Sequence, residues 1–394
     1  MGELRAGSVN DEAAAAGPPG RSVRVVMPGG VDDPAAPSGG NVYDRRVCRD
    51  LPGVGWQVHE HVVAGGWPRP AAAARAELAR VLRESAEGSV VLLDGLVACG
   101  VPEVIVPEAG RLRLAVLVHL PLGDETGLAP ERAAVLDAAE RRTLHAVAAV
   151  VATSRWAAGR LVGHHGLAPD RVHVAAPGVD IGPLAPGTSS GTGNGAGSGT
   201  GSAPRLLCVA SVTPRKGQYE LVEALATVAE LPWTCCFVGG LGQDPGYVDR
   251  LRKLIARYGL DDRVHLAGPL SGPALNAGYA GADLLVLASR AETYGMAVTE
   301  ALARGVPVLA TAVGGLPEAV GRTPDGSVPG VLVPPDDPAA LSGALRRWLG
   351  EPGERHRAKV AARRRRTALA GWETTTRSLA KALEQLRRQP REAV

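Results

Sequence analysis

Aromatic side chains are scarce in this chain. They make up 3% of its 394 residues, and phenylalanine occurs once. Proteins that bind single-stranded nucleic acid stack its bases on aromatic rings, so an extended stacking platform is excluded. The charges are also nearly balanced, with 43 Lys and Arg against 40 Asp and Glu, a net charge of +3. Neither property fits a protein whose main partner is nucleic acid.

The chain also lacks paired cysteine motifs and long apolar runs. Its five cysteines show no C-x-x-C spacing, which argues against a zinc site or a disulfide framework and predicts reduced, mostly buried thiols. The run SVVLLDGLVACGVPEVIV is interrupted by Asp94 and Pro102 before it reaches membrane-spanning length. The first 21 residues have no signal-peptide core. We expect a cytoplasmic protein whose membrane contact, if any, is weak and peripheral.

Short apolar runs alternate with helical patterns in both halves of the chain. In the first half, strands are predicted at SVRVVMPGG, WQVHEHVV, SVVLLDGL, RLRLAVLVHL, AVVATS and RVHVAAPG. In the second half they are predicted at RLLCVASV, TCCFVGG, RVHLAGPL, DLLVLAS, VPVLAT and GVLVP, with an amphipathic helix over 218–231. Such alternation indicates parallel sheets covered on both faces. We predict an α/β protein of two doubly wound domains facing each other across a cleft.

A segment of Gly, Ser, Thr, Asn, Ala and Pro separates the two halves at 187–204. This composition is typical of a flexible tether with a reach of roughly 25 Å, and a surface-loop insertion is the alternative. We predict a disordered tail over 1–21, a first Rossmann-like domain over 22–186, this linker, a second Rossmann-like domain over 205–370, and a terminal helix and tail over 371–394.

Candidate ligand-binding residues follow the predicted strands, because open parallel sheets bind ligands at the carboxyl ends of their strands. Gly39 and Gly40 lead into a helix whose N-terminus favours an anionic group, although such glycines also serve plain turns. His119 ends another strand, where it is either a ligand-facing residue or a structural histidine. Arg215 and Lys216 precede a helix, as in a diphosphate clamp, and a solvated basic pair is the alternative.

Two acidic residues follow the run DLLVLAS. Glu292 lies in the predicted loop, Thr293 is the predicted N-cap, and Gly295 and Met296 fall in the first helical turn. Glu300 lies on the second turn among apolar neighbours, where a carboxylate needs a partner such as a vicinal diol. A solvated helical face is the alternative for this residue.

These motifs resemble a known family in their order and spacing. RLLCVASVTPRKGQYELVEALA, FVGG, RVHLAGPL, GADLLVLASRAETYGMAVTEALARGVPVLATAVGGLPEAV and GVLVPPDDPAALSGAL resemble the C-terminal domain of retaining glycosyltransferases of family 4 over 205–350. SGGNVY, VHLPLG, AVVATSRWAAGRL and RVHVAAPGVD resemble the N-terminal domain more loosely. The resemblance implies the GT-B architecture, in which the second domain binds most of the donor and a helix around Trp372 crosses back to the first.

The resemblance also implies roles for individual residues. Glu292 would hold the donor sugar hydroxyls near the reacting carbon, and Glu300 would bind the nucleotide ribose. Lys216, with Arg215, would neutralise the leaving diphosphate. Ser211 stands where many members have an arginine on the diphosphate, so Arg215 either replaces that charge or leaves the clamp to Lys216.

The same motifs imply the remaining contacts. His119 would face the donor sugar and join Glu292 and Lys216 as a catalytic residue. The other donor-binding positions are Gly39, Gly40, Thr293, Tyr294, Gly295 and Met296.

The implied function is retaining transfer of a hexose-type sugar from a UDP- or GDP-sugar to a small-molecule or lipid-linked acceptor. No cofactor and no metal is expected, because no DxD-like cluster stands at a strand end and basic residues serve the leaving group. A hydrolase, phosphorylase or epimerase would use the same clamp, and so would a silent nucleotide-sugar-binding protein. The run KVAARRRR is either a solvated helix face or a weak membrane contact. Donor and acceptor identities stay open.

Overall fold

The computed structural model describes residues 21–125, 127–190 and 203–389. Residues 1–20 of the tail predicted over 1–21 and the centre of the predicted linker lie outside the described residues. Two six-stranded parallel sheets organise the rest into two lobes. This confirms the prediction of two doubly wound, Rossmann-like domains.

The first lobe alternates strands and helices. Its strands are β1 (Ser22–Pro28), β2 (Gln57–Val63), β3 (Val90–Asp94), β4 (Arg113–Val118), β5 (Ala149–Ala152) and β6 (Val172–Val174). Its helices are α1 (Gly39–Asp50), α2 (Ala72–Arg83), α3 (Gly95–Ala98), α4 (Pro102–Ile105), α5 (Pro130–Ala146) and α6 (Arg155–His165). The sheet order is β2-β1-β3-β4-β5-β6, so the direction of winding changes between β1 and β3.

The second lobe repeats this arrangement. Its strands are β7 (Arg205–Val209), β8 (Thr234–Val238), β9 (Val264–Gly268), β10 (Leu284–Leu287), β11 (Val308–Thr311) and β12 (Gly330–Val333). Its helices are α7 (Gln218–Ala226), α8 (Pro245–Arg257), α9 (Gly272–Gly281), α10 (Met296–Leu302), α11 (Leu316–Val320), α12 (Pro338–Gly350) and α13 (Pro352–Arg365). The sheet order is β12-β11-β10-β7-β8-β9, and the winding changes direction between β7 and β10.

Each predicted strand run contains one of these strands. The strands β3, β5, β10 and β11 are buried at every residue, because helices cover both faces of a parallel sheet. One helix prediction is too long: α7 ends at Ala226, not at residue 231. There the Thr227 hydroxyl donates to the Ala224 carbonyl at 2.7 Å and the Trp233 indole donates to the Val228 carbonyl at 2.9 Å. These bonds stabilise turns in place of a third helical turn.

The last helix, α14 (Trp372–Arg388), belongs to the first lobe although it follows the second. Trp372, Leu379 and Leu383 lie in the same buried cluster as residues of β1, β3 and β4. The Thr375 hydroxyl donates to the Ala176 carbonyl at 2.7 Å, just after β6. The predicted crossing of the terminal helix back to the first lobe is confirmed.

The described ends of the predicted linker are attached to one side chain of the second lobe. The Asp283 carboxylate accepts from the amide of Thr188 at 3.0 Å and its hydroxyl at 2.9 Å, and from the amide of Arg205 at 2.9 Å. Ala185, just before this segment, lies in the hydrophobic core of the second lobe. The segment therefore leaves and rejoins the second lobe at the same place, while the domain boundaries themselves stay a prediction.

The basic run near the end of α13 is used largely within the molecule. Arg364 pairs with Asp325. Arg365 donates to the Val320 carbonyl, and Arg366 donates to the carbonyls of Ala303 and Gly182. Three of the four arginines therefore stabilise the fold.

The five cysteines are free, and four of them are buried, which confirms the prediction of reduced, mostly buried thiols. Among the described residues, no helix combines the length and the hydropathy needed to cross a membrane.

Candidate active site

The candidate ligand-binding residues lie where each sheet changes its direction of winding, which is the usual ligand position in open α/β sheets. In the second lobe, β7 and β10 are neighbours. Lys216 ends the single turn after β7, and Glu292 lies in the loop after β10. The topology thereby brings together two residues that are 76 positions apart in the sequence.

Lys216 and Glu292 form a buried ion pair. The Lys216 Nζ lies 2.5 Å from Glu292 Oε1, and the Ser289 hydroxyl donates to the same oxygen at 3.1 Å. Burial opposes ionisation of Glu292, but the charges of Lys216 and Arg215 and these hydrogen bonds outweigh it and lower the pKa of Glu292. The carboxylate is therefore ionised and held in one orientation.

The glycine pair after β11 holds the loop that carries Glu292. The Gly315 amide donates to the Glu292 carbonyl at 2.9 Å. Gly314 has a φ of +53°, and a Cβ at this position would overlap the Glu292 carbonyl oxygen. Behind the loop, the Thr311 hydroxyl donates to the Ser289 carbonyl at 2.5 Å. The neighbouring strand thus fixes the main chain on both sides of the acid.

Thr293 is not the N-cap of α10, contrary to the prediction. The helix begins at Met296 with Gly295 as N-cap at φ +97°, and no side chain caps it. The Thr293 hydroxyl instead donates to the His119 carbonyl in the first lobe at 2.6 Å. The Ser154 hydroxyl, also in the first lobe, donates to the Thr293 carbonyl at 2.6 Å. Contacts between the lobes therefore replace the expected local cap.

Glu300 lies on the second turn of α10, as predicted, and its partner is a tyrosine. The Tyr279 hydroxyl donates to Glu300 Oε2 at 2.6 Å. Burial raises the pKa of Glu300, while Tyr279 and Arg304 act in the opposite direction. The alternative of a fully solvated helical face does not hold for this half-buried acid.

Gly39 and Gly40 begin α1, whose N-cap Ser38 accepts from the Asn41 amide at 3.0 Å. A Cβ on Gly39 would lie 3.1 Å from the Met296 sulfur, and a Cβ on Gly40 would lie 3.1 Å from the His119 ring. Because these glycines have no side chain, α1 can lie close to Met296 of the second lobe at Gly39 and close to the His119 ring at Gly40.

His119 is paired with two aspartates that the sequence did not single out. Its Nε2 lies 2.8 Å from Asp44 Oδ1 and 3.6 Å from Asp94 Oδ2. Asp44 lies on α1, while Asp94 ends β3 and accepts from the Leu96 amide. Burial opposes protonation of His119, but Asp44 and Asp94 raise its pKa to about 9. The only sequence signal for Asp94 is its place at a strand end.

Arg215 points toward the first lobe. Its Nε lies 3.3 Å from Glu125 Oε1, and its Nη1 donates to the Ala291 carbonyl at 3.3 Å. The guanidinium is thus beside the Glu292 loop without contacting Glu292 itself. Tyr294, next to this loop, is half-buried, and burial raises the pKa of its phenol to about 12.

Two groups of described residues have ligand atoms close enough to hold a metal ion. Within each group the atoms lie within 4.8 Å of one another. One group is Asp44, Asp94 and His119 in the cleft. The other is Asp137, His164 and His165 on α5 and α6. Sequence spacing indicates neither group, because Asp44, Asp94 and His119 are far apart in the chain and Asp137 lies 27 positions before His164.

Two family models match the chain, one in each lobe. The model for glycosyl transferases group 1 matches residues 199–365, and the model for glycosyltransferase family 4 matches residues 72–182. A D-inositol 3-phosphate glycosyltransferase of Catenulispora acidiphila is 35% identical over 61% of this chain and 57% of the relative, and one of Thermomonospora curvata is 34% identical over 57% and 54%. The matched part of the chain spans little more than half of these relatives' length.

Solved structures share the whole fold. Sucrose-phosphate synthase from Thermosynechococcus elongatus superposes with a TM-score of 0.74 at 22% identity, covering 93% of this chain and 99% of that one. The Anabaena protein HepE in complex with UDP-glucose superposes at 0.69 and 19% identity, covering 92% and 99%. At these identities the likeness shows the two-lobed GT-B fold. The two family models, matched over residues 72–182 and 199–365, show that the chain belongs to glycosyltransferase family 4.

Proposed function

We propose that the chain is a retaining glycosyltransferase that moves a hexose-type sugar from a UDP- or GDP-sugar to a small-molecule or lipid-linked acceptor. The observation that carries this proposal is the buried Lys216–Glu292 pair at the winding change between β7 and β10. A cation and an ionised acid 2.5 Å apart are suited to bind two neighbouring groups of one nucleotide-sugar donor, its diphosphate and its sugar. Lys216 faces the diphosphate and Glu292 faces the sugar hydroxyls.

Further polar groups around Lys216 support a donor at this place. Thr213 Oγ1 and Gln218 Oε1 are buried and have no hydrogen-bond partner among the described residues. Both flank Lys216 at the start of α7, a helix N-terminus that favours phosphate. Buried polar atoms without partners are rare, and donor hydroxyls or amides would satisfy them. The Anabaena relative in fold binds UDP and UDP-glucose, which supports the same class of donor.

The proposed reaction breaks the bond between the sugar's anomeric carbon and the diphosphate oxygen and forms a bond to an acceptor hydroxyl oxygen on the same face. The acceptor's proton passes to the departing phosphate oxygen. Lys216 and Arg215 stabilise the negative charge that develops on the diphosphate, so the proposal includes neither a metal nor a cofactor. Contacts between the lobes, such as that of Thr293 with His119, help to exclude water from the donor.

The acceptor is the less defined substrate. The curated relatives are inositol phosphate glycosyltransferases, which supports a polyhydroxylated small molecule. A lipid-linked acceptor would bring the protein to a membrane surface, where a basic run gains binding energy from anionic lipid. Since Arg364, Arg365 and Arg366 make intramolecular contacts, we favour the small molecule.

Product analysis tests this function. The protein is incubated with UDP-, GDP- and ADP-sugars, with and without a panel of cyclitols, cyclitol phosphates and sugars, and the products are identified by mass spectrometry and NMR. We expect a new glycoside with the donor's anomeric configuration only when acceptor is present. Free sugar without acceptor indicates a hydrolase, sugar phosphate formed with inorganic phosphate indicates a phosphorylase, and an altered nucleotide sugar indicates an epimerase. Binding without turnover indicates a silent binding protein.

A further inference from the structure

The first lobe contains a buried cluster at its own change of winding, between β1 and β3. Asp94 ends β3, His119 follows β4, and Asp44 lies one turn into α1. Asp44 is 3% exposed and Asp94 is 6% exposed. Two carboxyl groups and one imidazole thus share a space that is almost closed to solvent.

The hydrogen bonds of the cluster leave one oxygen unsatisfied. Asp44 Oδ1 is 2.8 Å from His119 Nε2, and Asp94 Oδ1 accepts from the Leu96 amide at 2.5 Å. Asp44 Oδ2 is buried and has no hydrogen-bond partner among the described residues. Two buried carboxylates so close to each other cannot both be charged without a large penalty. A proton on Asp94 Oδ2 removes that penalty and provides the missing donor to Asp44.

The raised pKa of Asp94 agrees with this arrangement. Burial, the charge of Asp44 and a hydrogen bond with the Asp44 side chain raise the pKa of Asp94 to about 8. Two uncharged side chains also contact His119. Tyr43 contacts it edge to face at 5.3 Å and donates its hydroxyl to the Ala175 carbonyl, and Thr293 reaches only the His119 carbonyl.

A metal ion does not explain the cluster equally well. A metal needs the lone pair of His119 Nε2, and the 2.8 Å contact with Asp44 is the length of a charge-assisted hydrogen bond through that same atom. An imidazolium that donates from Nε2 to Asp44 accounts for this contact without a metal ion.

We propose that Asp94 carries a proton at neutral pH and donates it to Asp44, and that Asp44 in turn holds His119 as an imidazolium at the cleft. Asp44 and Asp94 are positioning residues that act through His119. The first lobe thereby carries a cation on the residue whose backbone carbonyl accepts from Thr293 of the second lobe. His119 is a candidate contact of the donor, and this part of the argument rests on the proposed function.

The proposal is tested first without any substrate. The nine histidines of the full chain are titrated by NMR, and the His119 signal is assigned by its loss in His119→Gln. We expect Asp44→Asn to lower the midpoint of the His119 titration by about one to three pH units, since it removes an adjacent opposite charge. Asp94→Asn is expected to lower this midpoint less than Asp44→Asn does, because an amide mimics the protonated acid, which is the proposed form of Asp94 at neutral pH, and still donates to Asp44.

A matched control is the exposed pair of His164 with Asp137. Asp137→Asn removes the same type of partner and is expected to leave the His119 titration unchanged. Equal downward shifts in Asp44→Asn and Asp94→Asn would place the proton elsewhere and overturn the proposal. An unshifted His119 in Asp44→Asn, with the fold intact by circular dichroism, would also overturn it.

A second measurement connects the cluster to turnover. In Asp44→Asn, transferase activity is expected to fall at a lower pH than in the wild type, following the new His119 midpoint, and Asp44→Glu is expected to restore part of the original profile. A uniform loss at all pH values, without a change of profile, would show a merely structural role. If no transferase activity is found, the NMR titration still decides where the proton lies, so the two proposals fail separately.

Discussion

The Lys216 Nζ lies 2.5 Å from Glu292 Oε1, and only 13% and 10% of the two side chains are exposed. The two residues come from loops after neighbouring strands, so the sheet order itself brings them together. Each charge is buried only because the other neutralises it. The pair therefore links the stability of the second lobe to the proposed donor site.

Replacing Lys216 with alanine is expected to destabilise the protein by about 3 to 5 kcal/mol, because Glu292 is left as an unpaired buried charge. Urea unfolding followed by circular dichroism measures this. The double variant Lys216→Met with Glu292→Gln is expected to recover much of the loss. Lys253, exposed on α8, supplies the control Lys253→Ala, and a Lys216 variant as stable as this control would contradict the account.

Gly314→Ala is expected to displace the Glu292 loop, because the new Cβ would overlap the Glu292 carbonyl and φ is +53°. We expect a loss of more than about 1 kcal/mol in stability together with weaker nucleotide-sugar binding. Gly163, inside α6 with no atom within 4 Å of an added Cβ, is the matched control. Gly163→Ala is expected to stabilise by about 0.5 to 1 kcal/mol, and a Gly314 variant that behaves the same way would refute the role of the glycine.

The strands could be predicted from the sequence because each is a short, almost wholly apolar run between helical patterns. The positions of Lys216, Glu292 and His119 followed from the rule that ligands bind at strand ends. Thr293 was wrongly predicted as an N-cap because a threonine before a helix is a strong local signal. Its hydroxyl instead contacts His119, 174 residues away, and no local pattern reports such a bond.

Asp44 could not be found in the same way, and the place of Asp94 at a strand end did not by itself single it out. Asp44 sits in a helix rich in charged residues, NVYDRRVCRD, where the default reading is a solvated face. Its burial depends on β4 carrying His119 to that side of α1, which is a property of the sheet order. Partners that meet only through tertiary structure leave no spacing in the chain.

Thr293→Val is expected to weaken the contact between the lobes, since the His119 carbonyl loses its donor. The loss of one such bond corresponds to about 0.5 to 1.5 kcal/mol. Small-angle scattering measures the consequence, and we expect a larger radius of gyration in the absence of ligand. Thr367, whose hydroxyl bonds only to the nearby Arg364 carbonyl, gives the control Thr367→Val, and identical scattering for the two variants would count against the contact.

The stability of the protein is expected to fall as the pH rises from about 6.5 to about 9. The folded-state pKa of His119 is raised to about 9 and that of Asp94 to about 8, so the folded protein binds more protons than the unfolded chain over this range. The stabilisation by His119 is complete below pH 6.5 and lost as the pH passes the folded-state value. Thermal unfolding across this range measures it. His119→Gln is expected to flatten the dependence, and an equally steep decline in that variant would exclude His119 as its source.

The most direct test of the central claim is isothermal titration calorimetry of UDP-, GDP- and ADP-sugars with the wild-type protein, Glu292→Gln and Lys216→Met. We predict that at least one of these donors binds the wild type and that each substitution weakens its binding by about 10²-fold or more, as expected for a charged contact that is lost from a buried site. Wild-type binding of none of the donors, or binding unchanged in both variants, would contradict a nucleotide-sugar site between β7 and β10.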